Sequence, residues 1–208
     1  MADLVRGRYH VTNPVWCYLG QPVNVTQSDI STRSSVVVLG LSGLADTAAA
    51  LTTQVCTSVP IPVEYGDVIS KVAVVVGATA AGTPTNAFAA LYTGVATTPV
   101  LMGQSTDILT AAIPASAVFT FTLTTPQLIT PTNAPFGYIY ATIMSKATTV
   151  PSLATVSVAA AVAYKWLLGG TAPLGMGAIT HGAALTTTAP ATITAATAQT
   201  ATPIVILS

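Results

Sequence analysis

The residues that could carry chemistry in this chain are few and widely spaced. Its 208 residues include six acidic, six basic and two histidine side chains. Catalysis needs acids, bases or nucleophiles held together. A serine, an aspartate and His181 could assemble a hydrolytic triad in space, but no GxSxG segment marks a nucleophile. His10 lies at the opposite end of the sequence. The sequence therefore predicts no enzyme and no catalytic residue.

The acidic residues have the setting of turn and cap residues. Asp29, Asp46, Asp67 and Asp107 each stand alone among Ser, Thr and Gly, where a carboxylate bonds nearby backbone amides. Glu64 and Asp67 bracket the turn EYGD and could bind calcium, but a calcium site takes about six to eight oxygens. A plain turn before a strand is favoured, and no metal or cofactor is predicted.

The remaining residues that could carry chemistry are two cysteines and a group of aromatic residues. Cys17 and Cys56 could pair, but two buried free thiols are favoured, and no CxxC motif or Cys/His cluster suggests zinc. A sugar-stacking platform could form if certain aromatics were exposed together, although aromatics in strands more often pack in the core. The candidate glycan-facing residues are Tyr92, Tyr138 and Tyr140, with Trp166 as a further member of such a platform.

Composition favours β-sheet and association. Hydrophobic residues make up 51% of the chain and charged residues only 6%, whereas ordinary domains carry roughly 25% charge. The chain is rich in Thr and Val, which favours pleated sheet because β-branched side chains are restricted in helices. Zero net charge leaves little repulsion between copies, so a homo-oligomer is expected, with a trimer as one option. The absence of a basic patch predicts no nucleic-acid partner.

The chain also contains no predicted membrane span. A spanning helix needs about 18 or more consecutive apolar residues. The longest candidates, Val72–Gly82 and Ala154–Ala163, are shorter and are interrupted by Thr, Ser or Gly. The apolar segments are therefore interpreted as strands.

From Pro60 onward, strand-like segments alternate with turn signals, and about eight strands are predicted. In AFAALYTG, Phe88, Ala90 and Tyr92 should share one face. In SAVFTFTLTTPQLI the even-numbered residues should face outward and the odd-numbered residues should face the core. Closely spaced strands without alternating helices predict an all-β fold, an antiparallel β-sandwich of jelly-roll-like type spanning residues 60–208. The outward set is Val118, Thr120, Thr122 and Thr124, and the inward set is Ala117, Phe119, Phe121 and Leu123.

Residues 1–59 are predicted to form an extended N-terminal arm and attachment segment, which either completes the sheet or reaches a neighbour. Within it, Asp46 could cap a short helix over Thr47–Gln54 because Ala and Leu propagate helix. A Thr-rich strand is the alternative there, and the role of residues 36–59 stays open. The possible attachment residues are Arg6, Arg8, Tyr9, Trp16 and Arg33.

The order of segments from about Ile61 onward resembles the β-sandwich domains of minor tail and fibre proteins of tailed bacteriophages, particularly those infecting actinobacteria. The resemblance lies in the strand–loop–strand run GDVISKVAVVVGATAAGTPTNAFAALYTG, the segment LMGQSTD, the run FTFTLTTPQLITPTNAPFGYIYATIM and the tail APATITAATAQTATPIVILS. It implies a virion structural protein, made in the host cytoplasm, that contacts other tail or capsid proteins and in some members host-surface glycan.

Two alternatives stay open at this point. The chain is short and has no coiled-coil or Gly-x-y stalk, so it is also similar to head-decoration proteins and small head fibres on the capsid. A carbohydrate-binding module for host-surface glycan is the further alternative, because such tail domains resemble carbohydrate-binding sandwiches.

Overall fold

The computed structural model describes residues 33–34, 47–95, 97–108, 112–157, 178–199 and 201–208. Within these ranges the protein is all-β, and every strand pairing is antiparallel. The predicted fold class is confirmed. The strands are β1 Arg33–Ser34, β2 Thr47–Ala50, β3 Cys56–Pro62, β4 Val68–Val75, β5 Gly82–Tyr92, β6 Leu101–Gln104, β7 Val118–Leu128, β8 Tyr138–Thr149, β9 Ser152–Ser157, β10 Ile179–His181, β11 Thr197–Ala198, β12 Ala201–Pro203 and β13 Val205–Leu207.

The strands form three sheets. The four-stranded sheet has the order β1-β13-β4-β7, the six-stranded sheet β11-β10-β3-β8-β5-β6, and a small third sheet β12-β9-β2. The chain changes between the two large sheets on passing from β3 to β4, β4 to β5, β6 to β7 and β7 to β8. Strands that are distant in sequence therefore become neighbours, as in β-sandwiches with crossing connections.

The main core lies between the two large sheets. Val59 and Leu91 of the six-stranded sheet pack in one buried cluster with Val72 and Phe121 of the four-stranded sheet. Strand β7 alternates as predicted: Phe121 and Leu123 are buried, whereas the threonines between and beside them are exposed. Its inward side chains supply apolar area to the core, and its threonines give the outer face a neutral polar surface.

A second buried cluster occupies the other face of the six-stranded sheet. Phe88, Ala90 and Tyr92 share this face of β5, as predicted, while Ala89 and Leu91 point into the main core. The loop of residues 182–196 packs over the second face and contributes Leu185, Ala189 and Ile193 to it. This side of the sheet, under residues 182–196, is called the covered face from here on.

The N-terminal part of the described chain differs from expectation. Residues 47–50 form strand β2, so the predicted helix over Thr47–Gln54 is wrong and the strand alternative holds. Strand β2 pairs with β9 in the register Thr47↔Thr155 to Ala50↔Ser152, which satisfies its backbone through the sheet. The predicted boundary between residues 59 and 60 falls inside β3, whose residues 56–61 are buried between β8 and β10. The sandwich therefore begins before Pro60.

No helix in the described ranges is long and apolar enough to cross a bilayer.

Candidate functional site

A hydrogen-bonded serine–histidine pair lies on the covered face. Strand β10 pairs with β3 in a register that places Ile179 opposite Ser58 and His181 opposite Cys56. The hydroxyl Oγ of Ser58 lies 2.8 Å from Nε2 of His181. The same hydroxyl also hydrogen-bonds with that of Thr142, which faces it from β8. Three neighbouring strands are thus connected through their side chains.

The imidazole of His181 is held in an apolar environment. Burial lowers its pKa from 6.5 to about 4, because low dielectric disfavours the charged form. The ring is therefore neutral at pH 7. Tyr92 packs edge-on against it, with ring centroids 5.5 Å apart. The Nδ1 atom has no hydrogen-bond partner among the described residues.

The pair has the residue types of a nucleophile and its base, but its surroundings favour a structural role. Ser58 is 0% exposed and His181 is 3% exposed, so neither is open to a substrate in this conformation. An activated serine is usually oriented through a third group on its base. No carboxylate occupies that position among the described residues. The pair instead satisfies buried polar groups that would otherwise be costly.

Two of the described carboxylates, those of Asp67 and Asp107, shape loops. Asp107 accepts hydrogen bonds from the side chain of Asn86 at 2.6 Å and from the backbone amide of Ala87 at 2.9 Å. Asp67 accepts one from the backbone amide of Glu64 at 3.0 Å, within the turn EYGD. These contacts match the turn and cap roles predicted for isolated aspartates. Within the described ranges, no three His, Cys, Asp or Glu residues lie close enough to hold a metal ion.

The three tyrosines predicted as a glycan platform come together, but they are buried. All three lie in the covered-face cluster, where Tyr138 and Tyr140 pack edge-to-face with centroids 5.5 Å apart. The hydroxyl of Tyr92 donates to the backbone oxygen of Pro190 at 2.8 Å. Burial raises the pKa of each hydroxyl. The platform expected for glycan binding is therefore absent from these tyrosines, because residues 182–196 occupy the space a sugar would need.

Cys56 is a buried free thiol on the same face. Burial raises its pKa to about 12, which keeps it protonated and unreactive at neutral pH. Cys17 and Trp166 lie outside the described residues. Of the two cysteines, Cys56 thus fits the free-thiol alternative.

One end of the sandwich exposes large apolar side chains. We call Tyr65, Val68, Leu128 and Phe136 the apolar end; they are 55%, 59%, 54% and 60% exposed. Val68 and Leu128 are cross-strand partners in β4 and β7. Tyr65 lies in the turn between β3 and β4, and Phe136 lies in the turn that precedes β8.

Backbone contacts hold these two turns together. The amide of Gly66 donates to the oxygen of Ile129 at 2.9 Å, and that of Val63 donates to the oxygen of Gly137 at 3.0 Å. Gly66 has φ +95°, a conformation that glycine adopts without the penalty other residues incur. Asn133 closes the second turn by accepting from the amide of Thr130 at 2.8 Å. The two aromatic side chains therefore sit on fixed turns, and the ring of Phe136 stacks on that of Tyr138, with centroids 6.4 Å apart.

The sequence did not single out the apolar end or Ser58. Ser58 and His181 are 123 residues apart, and no local motif surrounds the serine. The apolar end did carry a signal: Tyr65 and Phe136 lie inside the turn segments EYGD and APFG. An aromatic side chain in a turn does not belong to a strand, so no sheet face directs it into the core.

The predicted attachment residues fall mostly outside the described part of the chain. Arg6, Arg8, Tyr9 and Trp16 lie there. Arg33 belongs to β1, where it pairs with Leu207 at the edge of the four-stranded sheet. At these positions, the segment predicted as an arm completes the sheet.

No protein-family model and no curated protein matches the chain.

Proposed function

We propose that the chain is a non-enzymatic structural protein of a bacteriophage particle, of the minor tail or fibre type. The observation that carries the proposal is the apolar end, where four large side chains are each more than half exposed. Large exposed apolar side chains grouped at one end of a domain favour an interaction site there. The phage assignment is supported by the order of strand and loop segments that resembles tail and fibre sandwiches.

The surface outside the apolar end also supports a structural role. Charged side chains are rare in the described ranges, and the outer face of β7 presents a row of threonines. A surface with so few charges does not repel other copies of the chain or other neutral proteins. The Ser58–His181 pair is enclosed, which favours a scaffold over a hydrolase.

Capsid decoration or a head fibre on the same sandwich remains the alternative. The apolar end would serve equally well to bind a capsid protein. A glycan-binding module is less well supported, because Tyr92, Tyr138 and Tyr140 are buried.

Immunogold labelling of purified particles tests the proposal. Particles of the phage that encodes the chain would be labelled with an antibody to it, and their protein content measured by mass spectrometry. We expect gold at the tail or its fibres. Gold over the capsid surface would support the decoration alternative. A chain that is expressed in infected cells but absent from particles would contradict a virion role.

A further inference from the structure

We propose that the side chains of Lys146 and Asn86 join in an isopeptide bond, with Asp107 carrying a proton that the reaction moves. The reaction is a single self-modification of the folded chain, and it does not rest on the proposed function. Three observations support it: the strand register that pairs the lysine with the asparagine, the carboxylate fixed on the asparagine amide, and the burial of that amide.

The strand register places the amine and the amide side by side. Asn86 of β5 and Lys146 of β8 are cross-strand partners, so their side chains leave the same face of the sheet with Cβ atoms about 5 Å apart. A lysine side chain is long enough to cover that separation and bring its amine to the amide carbon of Asn86. The register shifts between Pro84 and Asn86, but Thr85 Oγ1 donates to the backbone oxygen of Lys146 at 3.2 Å. The two strands therefore stay joined at this point.

A carboxylate is already fixed on the amide nitrogen that would leave. Oδ2 of Asp107 accepts a hydrogen bond from Nδ2 of Asn86 at 2.6 Å. Its other oxygen, Oδ1, accepts from the backbone amide of Ala87 at 2.9 Å, which holds the carboxylate in this orientation. Asp107 follows β6, and β6 and β8 lie on opposite sides of β5. Asn86 thus has a lysine on one side and a carboxylate on the other.

The burial of the amide favours the lysine over water as its nucleophile. Asn86 is 8% exposed, and Lys146 is half-buried beside it. Water that reached the amide carbon would compete with the amine and leave an aspartate instead. Two groups held on one rigid sheet also react at an effective concentration far above that of free groups in solution. Both effects favour a bond between these two side chains.

The reaction balances within the chain. Nζ of Lys146 gives one proton to the carboxylate of Asp107 and attacks Cγ of Asn86, which forms the Nζ–Cγ bond. Asp107 then passes that proton to Nδ2, the Cγ–Nδ2 bond breaks, and ammonia leaves. The second proton that Nζ loses is taken up by the ammonia, which departs as ammonium. No group is oxidised or reduced, and no further reactant is consumed.

The intact mass of the denatured full-length chain measures the bond directly, because the loss of ammonia lowers the mass by about 17 Da. The wild-type protein is kept folded for several days in a neutral buffer beside two variants, Lys146→Arg and the matched control Lys71→Arg. Lys71 is an exposed lysine of β4 whose cross-strand partner is Thr122, so no amide lies opposite it. Circular dichroism checks that each variant is folded.

We expect most of the wild-type chain and of Lys71→Arg to lose this mass, and Lys146→Arg to keep its full mass. Tandem mass spectrometry of a tryptic digest should then find a branched peptide that joins Lys146 to Asn86. A wild-type chain of full mass would overturn the proposal. A loss retained in Lys146→Arg would overturn it too, since an asparagine that closes to a cyclic imide also releases ammonia. Crosslinked dimers would place the bond between copies and contradict a bond within one chain.

The role of the carboxylate is tested separately by Asp107→Asn, which keeps the shape of the side chain but cannot carry the proton. The lighter species should form about a hundred-fold more slowly in this variant, as for the loss of other general acid–base groups. Circular dichroism again checks that the variant is folded. An unchanged rate in a folded Asp107→Asn protein would remove Asp107 from the reaction and overturn that part of the proposal.

Discussion

The covered face and the apolar end have similar side chains but opposite exposure. Tyr92 and Phe88 on the covered face are fully buried, whereas Tyr65 and Phe136 at the apolar end are more than half exposed. The difference arises from one loop, because residues 182–196 pack on the first region and the described ranges contain nothing equivalent on the second. Aromatic composition alone therefore does not identify a binding surface. A region that the chain leaves exposed is the better candidate for contact with a partner.

The largest expected difference between the two regions is in stability. Tyr92→Ala should lower the free energy of unfolding by about 3–5 kcal/mol, as other large buried aromatic truncations do. It also removes the hydrogen bond to Pro190. Phe136→Ala, the matched variant at the apolar end, should lower it by no more than about 1 kcal/mol, because its ring loses only the stacking on Tyr138. Urea denaturation of both variants makes the measurement. Equal losses would mean that the apolar end is part of the core.

The covered face should also make stability depend on pH through His181. The folded pKa is about 4 against 6.5 in the unfolded chain, so the unfolded state takes up the proton first. Stability should fall by up to about 3 kcal/mol as pH drops from about 6.5 to about 4, and this contribution should level off below that. Cys56 and Tyr92, which also face the ring, do not titrate in this window.

The contribution of His181 is isolated by comparison with a His181→Gln variant across the same pH range. The difference in slope between the two proteins is the quantity to measure, since every other side chain is the same in both. A wild-type chain whose stability parallels that of the variant from pH 7 to 4 would show that the imidazole is hydrated.

A smaller effect is expected from Ser58→Ala. The substitution leaves the hydroxyl of Thr142 and Nε2 of His181 without their shared partner, which should cost about 1–3 kcal/mol. Ser70→Ala is the control, because the Ser70 hydroxyl makes only one exposed hydrogen bond, at 3.3 Å. Thermal unfolding compares the two. A Ser58→Ala protein as stable as Ser70→Ala would indicate that water replaces the lost hydroxyl.

The smallest effect concerns the turn that carries Tyr65. Gly66→Ala places a side chain at φ +95°, although no heavy atom lies within 4 Å of the new carbon. The cost is therefore conformational and should be about 1 kcal/mol. Chemical denaturation measures it, with Ala73→Gly in β4 as a reference for the opposite exchange. A stabilised Gly66→Ala protein would contradict the turn conformation.

The sequence predicted those elements whose side-chain pattern directly reflects their surroundings. Strand β7 alternates because one face meets the core and the other meets water. The faces of β5 were assigned correctly for the same reason. By contrast, β2 was predicted as a helix because alanines propagate helix locally. Pairing with β9 determines its structure, and a partner about a hundred residues away leaves no trace in a local pattern.

The candidate sites were predicted less well than the fold. The tyrosines of the covered face were predicted as an exposed set, but nothing in the Ala- and Thr-rich segment HGAALTTTAPATI indicates that it packs over them. Part of its contact with the sheet is through backbone hydrogen bonds, such as that from the amide of Leu101 to the oxygen of Ala191, at 2.9 Å. Backbone hydrogen bonds are available to any sequence, so composition does not reveal them.

The incorporation of variants into particles tests the proposed virion role of the apolar end most directly. Phage carrying Leu128→Asp/Phe136→Asp would be compared with phage carrying Val118→Asp, using quantitative mass spectrometry of purified particles and equal expression in infected cells. A buried charge at an interface costs several kcal/mol, so we predict at least about a ten-fold loss of the double variant from particles and near-normal incorporation of the control. Equal incorporation of the two variants would contradict the account.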